Sequence, residues 1–294
     1  MSTETIKATR PVTFNDDGIG EWTEDVVFEV TSERIAEYAA ATNDPIAAHR
    51  NGEIASPVFA VVPTFFSMAP AALEVAPVEL LMKLVHGEQD FHFHAPIRPG
   101  DVLTCRARAT GYAALSTGST VVVKAETRNQ EGVLVNEQFI TAFFRGVDAG
   151  GTVGELAPGH ALDEAVTTGA PAAEVTAHVD EDQTFRYSPA SGDPMPIHLD
   201  EEIAIMSGLP GIINHGLCTM AFTSWAALES FADGDVTRLR RFAVRFAKPV
   251  LPGQDITTRF WDLPATPDGD RAVGFETSVG DDLVIRDGLA VFTH

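Results

Sequence analysis

Leu217, Met220, Ala221, Ser224, Trp225 and Leu228 fall at i, i+3, i+4, i+7, i+8 and i+11, and most positions between them are also apolar. That spacing predicts a helix buried nearly all round. Downstream, Phe242, Val244 and Phe246 alternate with Arg241, Ala243 and Arg245, the period of a strand. Earlier in the chain Phe91 and Phe93 alternate with His92 and His94 in the same way. A P-x-x-P-G turn follows each strand, at Pro96–Gly100 and at Pro249–Gly253. Two or three further strands then close each half, with hairpin turns expected at Asn129–Gly132 and Gly280–Asp282. One apolar stretch, Ile54 to Leu73, carries no charge and is long enough to span a bilayer. Pro57, Pro63 and Pro70 would break a spanning helix, so it reads as a buried loop entering a core helix.

The similarity of the halves goes beyond pattern. Tyr38, Asp44, Pro45 and His49 lie over Tyr187, Asp193, Pro194 and His198 at a constant offset of 149 (187 minus 38). Pro96, Pro99 and Gly100 lie over Pro249, Pro252 and Gly253 at an offset of 153 (249 minus 96), and Pro57 and Pro210 share that second offset. Ordered anchors in one register indicate an internal duplication. Each copy combines one buried helix with consecutive antiparallel strands, which implies an α+β fold with a sheet wrapped around the helix, twice over. The expected division is 1–146 for the first copy, 147–175 for a Gly-, Pro- and Ala-rich linker, and 176–294 for the second.

Composition narrows the partners. The chain's 294 residues suit two domains, and 42 acidic against 20 basic side chains leave a net charge of −22. Nucleic acid and anionic membrane surfaces are therefore excluded as general partners, and an anionic ligand must find a local basic patch. Arg238, Arg240, Arg241, Arg245 and Lys248 supply one within eleven residues. Strand alternation puts Arg241 and Arg245 on one face, either as a phosphate-binding patch with Lys248 or as a solvated face balancing the acidic surface. Two cysteines, Cys105 and Cys218, cannot make a disulfide framework, and the opening MSTETIKATR has no apolar export segment, so a cytoplasmic location is expected.

The segment Gly192-Asp193-Pro194-Met195-Pro196-Ile197-His198, followed by His215-Gly216-Leu217-Cys218-Thr219, resembles the landmarks of the MaoC-like (R)-specific enoyl-CoA hydratase (hydratase 2) family in its double hotdog form. The resemblance runs from about Val26 to His294. It implies a hydratase or dehydratase acting on acyl-CoA, with no cofactor. It also implies that the second copy carries the chemistry, while the degenerate first copy accommodates bulky acyl groups.

The residues suit that chemistry. Adding water reversibly to a 2-enoyl thioester to give a 3-hydroxyacyl thioester, the (R) form by the resemblance, needs three things: a base for the water, a proton for C2 and a polarised thioester oxygen. Asp193 and His198, on a loop stiffened by two prolines, can converge on one water, and the resemblance makes them the catalytic dyad. The Gly216 N–H, unpaired at the start of the buried helix, suits a developing enolate oxygen. Taken singly, each feature also has a structural reading: a turn cap, a loop histidine or a helix-entry glycine.

Several alternatives stay open. Met195 stands where the family pattern has Asn, which leaves room for a non-catalytic acyl-CoA-binding protein. Cys218 admits a hotdog thioesterase, although its slot in an apolar helix favours an inert thiol. His86, Asp90, His92 and His94 have a spacing that metal sites use, but the segment aligns with the Arg-bearing strand of the other copy, and no metal is expected. Asp44 and His49 repeat the pair, yet the position matching Gly216 is Pro63, which has no N–H; they are expected to be structural remnants. One chain imitates a dimer of simple hotdogs, and a further homodimer is compatible with this.

Overall fold

A computed structural model describes residues 13–293. The opening MSTETIKATR lies outside the described residues. The first copy begins with β1 (Val26–Glu29), α1 (Ser32–Ala41) and the short α2 (Ala47–Arg50). The apolar stretch Ile54–Leu73 becomes a 3-10 helix, Pro57–Thr64, every residue of it buried, running into α3 (Phe65–Leu73). No helix among the described residues is long and apolar enough to cross a membrane. Strands β2 (Leu84–Phe93), β3 (Val102–Leu115), β4 (Gly118–Arg128) and β5 (Leu134–Arg145) complete this copy.

The stretch expected as a linker is laid down as structure. It holds β6 (Thr152–Gly154), which pairs with β3, then α4 (Glu164–Thr167) and the start of β7 (Ala173–His178). β6 crosses so close to β3 that a Cβ on Gly111 would stand 2.5 Å from the Val153 carbonyl oxygen, so only glycine fits there. Beyond β6 the chain is tied to the second copy. His160 Nδ1–H donates to the Asp287 carbonyl, and the Leu162 N–H donates to the Asp287 carboxylate.

The second copy repeats the order with α5 (Gln183–Ser191), α6 (Glu201–Met206), α7 (Gly216–Phe231), β8 (Leu239–Phe246), β9 (Asp255–Asp262), β10 (Arg271–Val279) and β11 (Asp282–Phe292). All the strands join one eleven-stranded sheet in the order β1-β3-β4-β5-β2-β8-β11-β10-β9-β7, with β6 beside β3. Read from either end the order is the same under the repeat, so duplication is written into the topology. The halves meet where β2 pairs antiparallel with β8, Phe91 opposite Phe242 and Glu88 opposite Arg245.

As its spacing predicts, α7 is buried from Leu217 to Leu228, and its polar members are satisfied locally: Thr223 and Ser224 donate to the Met220 and Ala221 carbonyls. It sits in the larger core cluster with Phe91, Phe242, Phe260 and Phe275. The hairpin expected at Gly280 joins β10 to β11, and Gly100 and Gly253 close their P-x-x-P-G turns with φ of 91° and 83°.

Repeat-equivalent residues also meet face to face. Tyr38 of α1 and Tyr187 of α5 are buried and share a hydrogen bond, hydroxyl to hydroxyl, at 3.2 Å. Burial pushes the pKa of both phenols up. Replacing either with Phe strands the other hydroxyl, and we expect a loss of about 1–3 kcal/mol in urea unfolding. The double replacement should recover most of that loss, since no buried polar atom is then left over; a double variant no more stable than the weaker single would contradict the pairing.

Candidate active site

Helix α5 ends at Gly192, whose φ of 80° only glycine adopts freely, and that turn sends Asp193 back across the helix end. The Asp193 Oδ1 accepts the Met195 N–H at 3.0 Å, and the Ser188 hydroxyl donates to the Asp193 carbonyl at 2.7 Å. The turn is therefore fixed by the main chain around the carboxylate, leaving Oδ2 uncommitted. Pro196 opens a 3-10 turn that delivers His198. The His198 Nδ1 lies 2.8 Å from the Ile213 carbonyl, which can only accept, so Nδ1 carries the hydrogen and Nε2 is left as the acceptor.

The ring of His215 stacks on that of His198, centroids 3.8 Å apart and planes 25° apart. Its own Nε2–H donates to the Asp193 carbonyl at 3.3 Å, and its ring also packs on Tyr187, centroids 4.9 Å apart. Asp193, His198 and His215 each bring one donor atom within 4.8 Å of the others. Gly216 follows directly as the first residue of α7, with no side chain capping that helix end. A Cβ on Gly216 would stand 3.2 Å from the Phe246 ring, so the missing side chain lets β8 pack close against the helix start.

Burial raises the Asp193 pKa, against the Met195 N–H and the nearby His198. Burial lowers that of His198, against the Ile213 carbonyl and Asp193. His215, buried and beside His198, is lowered to about 3. Both imidazoles are thus neutral near pH 7, and the carboxyl group is a better proton carrier than a surface aspartate.

The expected Asp193 and His198 are brought together with His215, directly after which Gly216 opens α7; the three cations are each ion-paired elsewhere. Arg241 binds Asp90 across the junction of the copies, at 2.8 Å, and also donates to the Pro158 and Gly159 carbonyls. Although burial pushes Asp90 up, His92 and Arg241 hold it below its ordinary value. Arg245 pairs with Glu88 at 2.6 Å, and Lys248 with Asp282 at 2.5 Å. Residue types and spacing singled out Asp193 and His198 but missed His215 as a support for His198; its place just before the glycine of the second landmark was the available signal.

A metal would need converging lone pairs, whereas the stacked imidazoles lie nearly parallel and His215 Nε2 is spent on a carbonyl. The histidines of β2 and its exit do not converge either: His86 bonds to the Glu88 carbonyl, His92 to Asp90 and His94 to Glu137. Cys218 is fully buried, and burial raises its thiol pKa, which disfavours the thiolate a nucleophile needs.

In the first copy the same motif is closed. His49 Nδ1–H donates to Asp44 Oδ2 at 2.7 Å, both side chains have at most 1% exposure, and His49 Nε2 has no partner among the described residues. The turn itself is conserved between the copies. The Ile46 N–H donates to Asp44 Oδ1 as the Met195 N–H does to Asp193, and Asn43 takes a positive φ as Gly192 does.

Comparison with known proteins agrees with this architecture. Residues 164–279 match the MaoC like domain, and residues 17–138 match the FAS1-like, dehydratase domain region. The probable enoyl-CoA hydratase 2 of Dictyostelium discoideum is 30% identical over 213 residues, covering 71% of this chain and 70% of that protein. The peroxisomal multifunctional enzyme type 2 of Drosophila melanogaster is 29% identical over 214 residues, covering 69% of this chain and 36% of that protein; the chain spans about a third of that longer relative. A crystal structure of a MaoC-like dehydratase from Phytophthora capsici superposes with a TM-score of 0.81 at 22% identity, over 95% of this chain and 97% of that one.

The fold is the double hotdog. The chain belongs to the MaoC-like dehydratase family, and it is an enzyme of the hydratase–dehydratase class.

The histidine environments are checked by an NMR titration from pH 8 to 5. His215 should stay neutral throughout, and His198 should remain neutral below 6.5, the ordinary histidine value, because its pKa is lowered. Exposed His178, raised by its bond to Asp255, should take its proton above 6.5. A His215 that protonates near 6.5 would contradict the stacked, desolvated arrangement.

Proposed function

We propose that the chain catalyses the reversible hydration of a 2-enoyl-CoA to an (R)-3-hydroxyacyl-CoA. The observation that carries this reading is the contrast between the copies. In the first, carboxylate and imidazole bond to each other in the core; in the second, Ile213 takes the Nδ1–H, which leaves Nε2 of His198 and Oδ2 of Asp193 without hydrogen-bond partners among the described residues, on side chains that come within 4.8 Å of each other and of His215, the residue before Gly216.

Water held between Nε2 and the carboxyl group attacks C3 of the enoyl group and gives its proton to His198. The electron pair of the double bond moves toward the thioester oxygen, where the Gly216 N–H and the positive end of α7 stabilise the enolate. The proton taken up by the pair then goes to C2, which returns His198 and Asp193 to their starting states. Both new bonds form on the side facing the dyad, so water adds syn. Dehydration runs the same steps backwards.

Met195 lies half exposed with its N–H, not its side chain, serving Asp193; replacing the family's Asn therefore leaves the carboxylate's main-chain anchor in place. For the phosphates of coenzyme A we propose Lys248 and Arg245, whose side chains are about half exposed and can exchange their carboxylate partners for phosphate. Arg241, 20% exposed and bonded to Asp90, contributes by fixing the strand that carries them. Two buried free cysteines fit a reducing compartment, and we assign the cytoplasm.

Purified enzyme mixed with crotonyl-CoA should remove the enoyl absorbance. Asp193→Asn should lower kcat by about 10²–10⁴ while leaving the affinity for butyryl-CoA, which has no double bond to hydrate, nearly unchanged. A variant as fast as the wild type would end the dyad reading.

Gly216→Pro removes the N–H at the first helical position, where proline is well tolerated, and should cost about 10²–10³ in kcat. Gly216→Ala keeps the donor, so it should act mainly through KM as its methyl group presses on Phe246. Equal kcat losses in the two variants would argue against an oxyanion role.

A further inference from the structure

An open cleft lies in the first copy, away from the dyad. It encloses about 40 Å³, widening to about 460 Å³ when its open mouth is counted, and is bounded by Ser56, Phe93, Ile97, Asn136, Leu239 and Arg240, among others. Under the offset of 153, Phe93 corresponds to Phe246, Ile97 to Val250 and Leu239 to His86. Phe246 is the ring beside Gly216, and His86 packs on it with centroids 5.0 Å apart. The cleft is therefore the repeat-equivalent of the catalytic one. Its walls remain while its reagents are gone: Asp44 and His49 are sealed on each other, and Pro63 has no N–H.

A cleft that had merely lost its function would be expected to fill with apolar side chains. This one instead holds polar groups that its catalytic counterpart lacks. Ser56 corresponds to Leu209, and Asn136, opposite Phe93 on β5, corresponds to Ile285, opposite Phe246 on β11. Ser56 Oγ and Asn136 Oδ1 are both buried and without a hydrogen-bond partner among the described residues. The Asn136 amide is oriented by its NH₂, which donates to the His92 carbonyl, so the orphan atom is the oxygen and can only accept.

Ser56, from the helical side, can donate to a carbonyl, and Asn136, from the sheet, needs an N–H. A secondary amide between the two walls supplies both, its C=O and N–H pointing in opposite directions. At the rim, exposed Arg240, and exposed Arg98 next to Ile97, have no ion-pair partner among the described residues. An amide-bearing arm that ends in phosphates fits this order of groups.

We propose that the first copy's cleft is a second, non-catalytic site for the pantetheine arm of an acyl-CoA, with the arm's amide held by Ser56 and Asn136 and its phosphate end by Arg98 and Arg240. The choice of ligand rests on the acyl-CoA reading above. The site would bind the thioester without turning it over.

Calorimetric titration of the full chain with butyryl-CoA tests this. We expect two equivalents bound per chain. Arg240→Glu, at an exposed position, should weaken one of the two at least tenfold and leave the initial rate with crotonyl-CoA unchanged, and Asn136→Ile, which installs the counterpart residue, should weaken the same step.

One equivalent in the wild type, or two that neither variant alters, overturns the second site. If one equivalent is accompanied by turnover of crotonyl-CoA, the hydratase reading survives that failure. If no enoyl-CoA is turned over but one bound equivalent is lost in Arg240→Glu, the site stands and the hydratase reading falls.

Discussion

The pairing of β2 with β8 is the constraint on which the molecule depends. Five residue pairs, from Glu88 with Arg245 to His92 with Arg241, turn two five-stranded sheets into one and set the copies in a fixed antiparallel relation. Arg241 reinforces the seam by crossing to Asp90, a carboxylate only 2% exposed whose charge would be costly to bury without that partner. With the seam fixed, the other cross-copy contacts follow. Tyr38 reaches Tyr187, and Trp225 of α7 donates to the Thr42 carbonyl of the first copy. His86 of β2 lands on Phe246, the ring that borders Gly216. The first copy's cleft is thus walled in part by β8 of the opposite copy, and the ring beside Gly216 packs on β2 of the other.

Within that symmetric frame one hydrogen bond separates the pair proposed to react from the pair closed on itself. Both copies present Asp and His five residues apart on a loop whose Asp is anchored by the N–H two residues on. In the first copy the imidazole points its N–H at the carboxylate, satisfying both groups inside the core. In the second the Ile213 carbonyl competes for that hydrogen, and the stacked ring of His215 holds the imidazole in the position where it wins. The carboxylate loses its intramolecular partner and gains an open face. Burial then acts on the separated groups in opposite directions, raising the acid and lowering the base, which brings their proton affinities toward one another. Proton transfer between groups of similar affinity is what reversible hydration requires.

Much of this was legible along the chain because it is encoded locally. Prolines and glycines at fixed offsets marked the repeat, the apolar spacing from Leu217 to Leu228 marked the buried helix, and the D-P-x-x-x-H spacing marked the loop. What could not be read depends on atoms distant in sequence. The tautomer and rotation of His198 are decided by a carbonyl fifteen residues away. The stretch from 147 to 175, rich in Gly and Ala, gives no periodic signal, yet it lies across the sheet because β3 and Asp287 offer it partners. The basic run from Arg238 to Lys248 looked like a single patch; in space Arg241, Arg245 and Lys248 are each claimed by an acidic neighbour, from β2 or from β11. In so acidic a chain, proximity in sequence is a poor guide to which cations stay free.

Duplication followed by divergence also explains why the two copies tolerate different helix entries. In the proposed mechanism the second copy uses an N–H at the start of its helix, and Gly216 supplies it while letting Phe246 pack close. The first copy, with its dyad sealed, has no use for that donor, and Pro63 sits inside a 3-10 helix whose every residue is buried. A proline there fixes the backbone and removes a polar group that would otherwise need a partner in the core. The substitution that would abolish the proposed chemistry is therefore the one that suits the core. Retaining an N–H at Gly216 leaves a donor unpaired at a half-buried helix end, a local disadvantage that the proposed oxyanion role would offset.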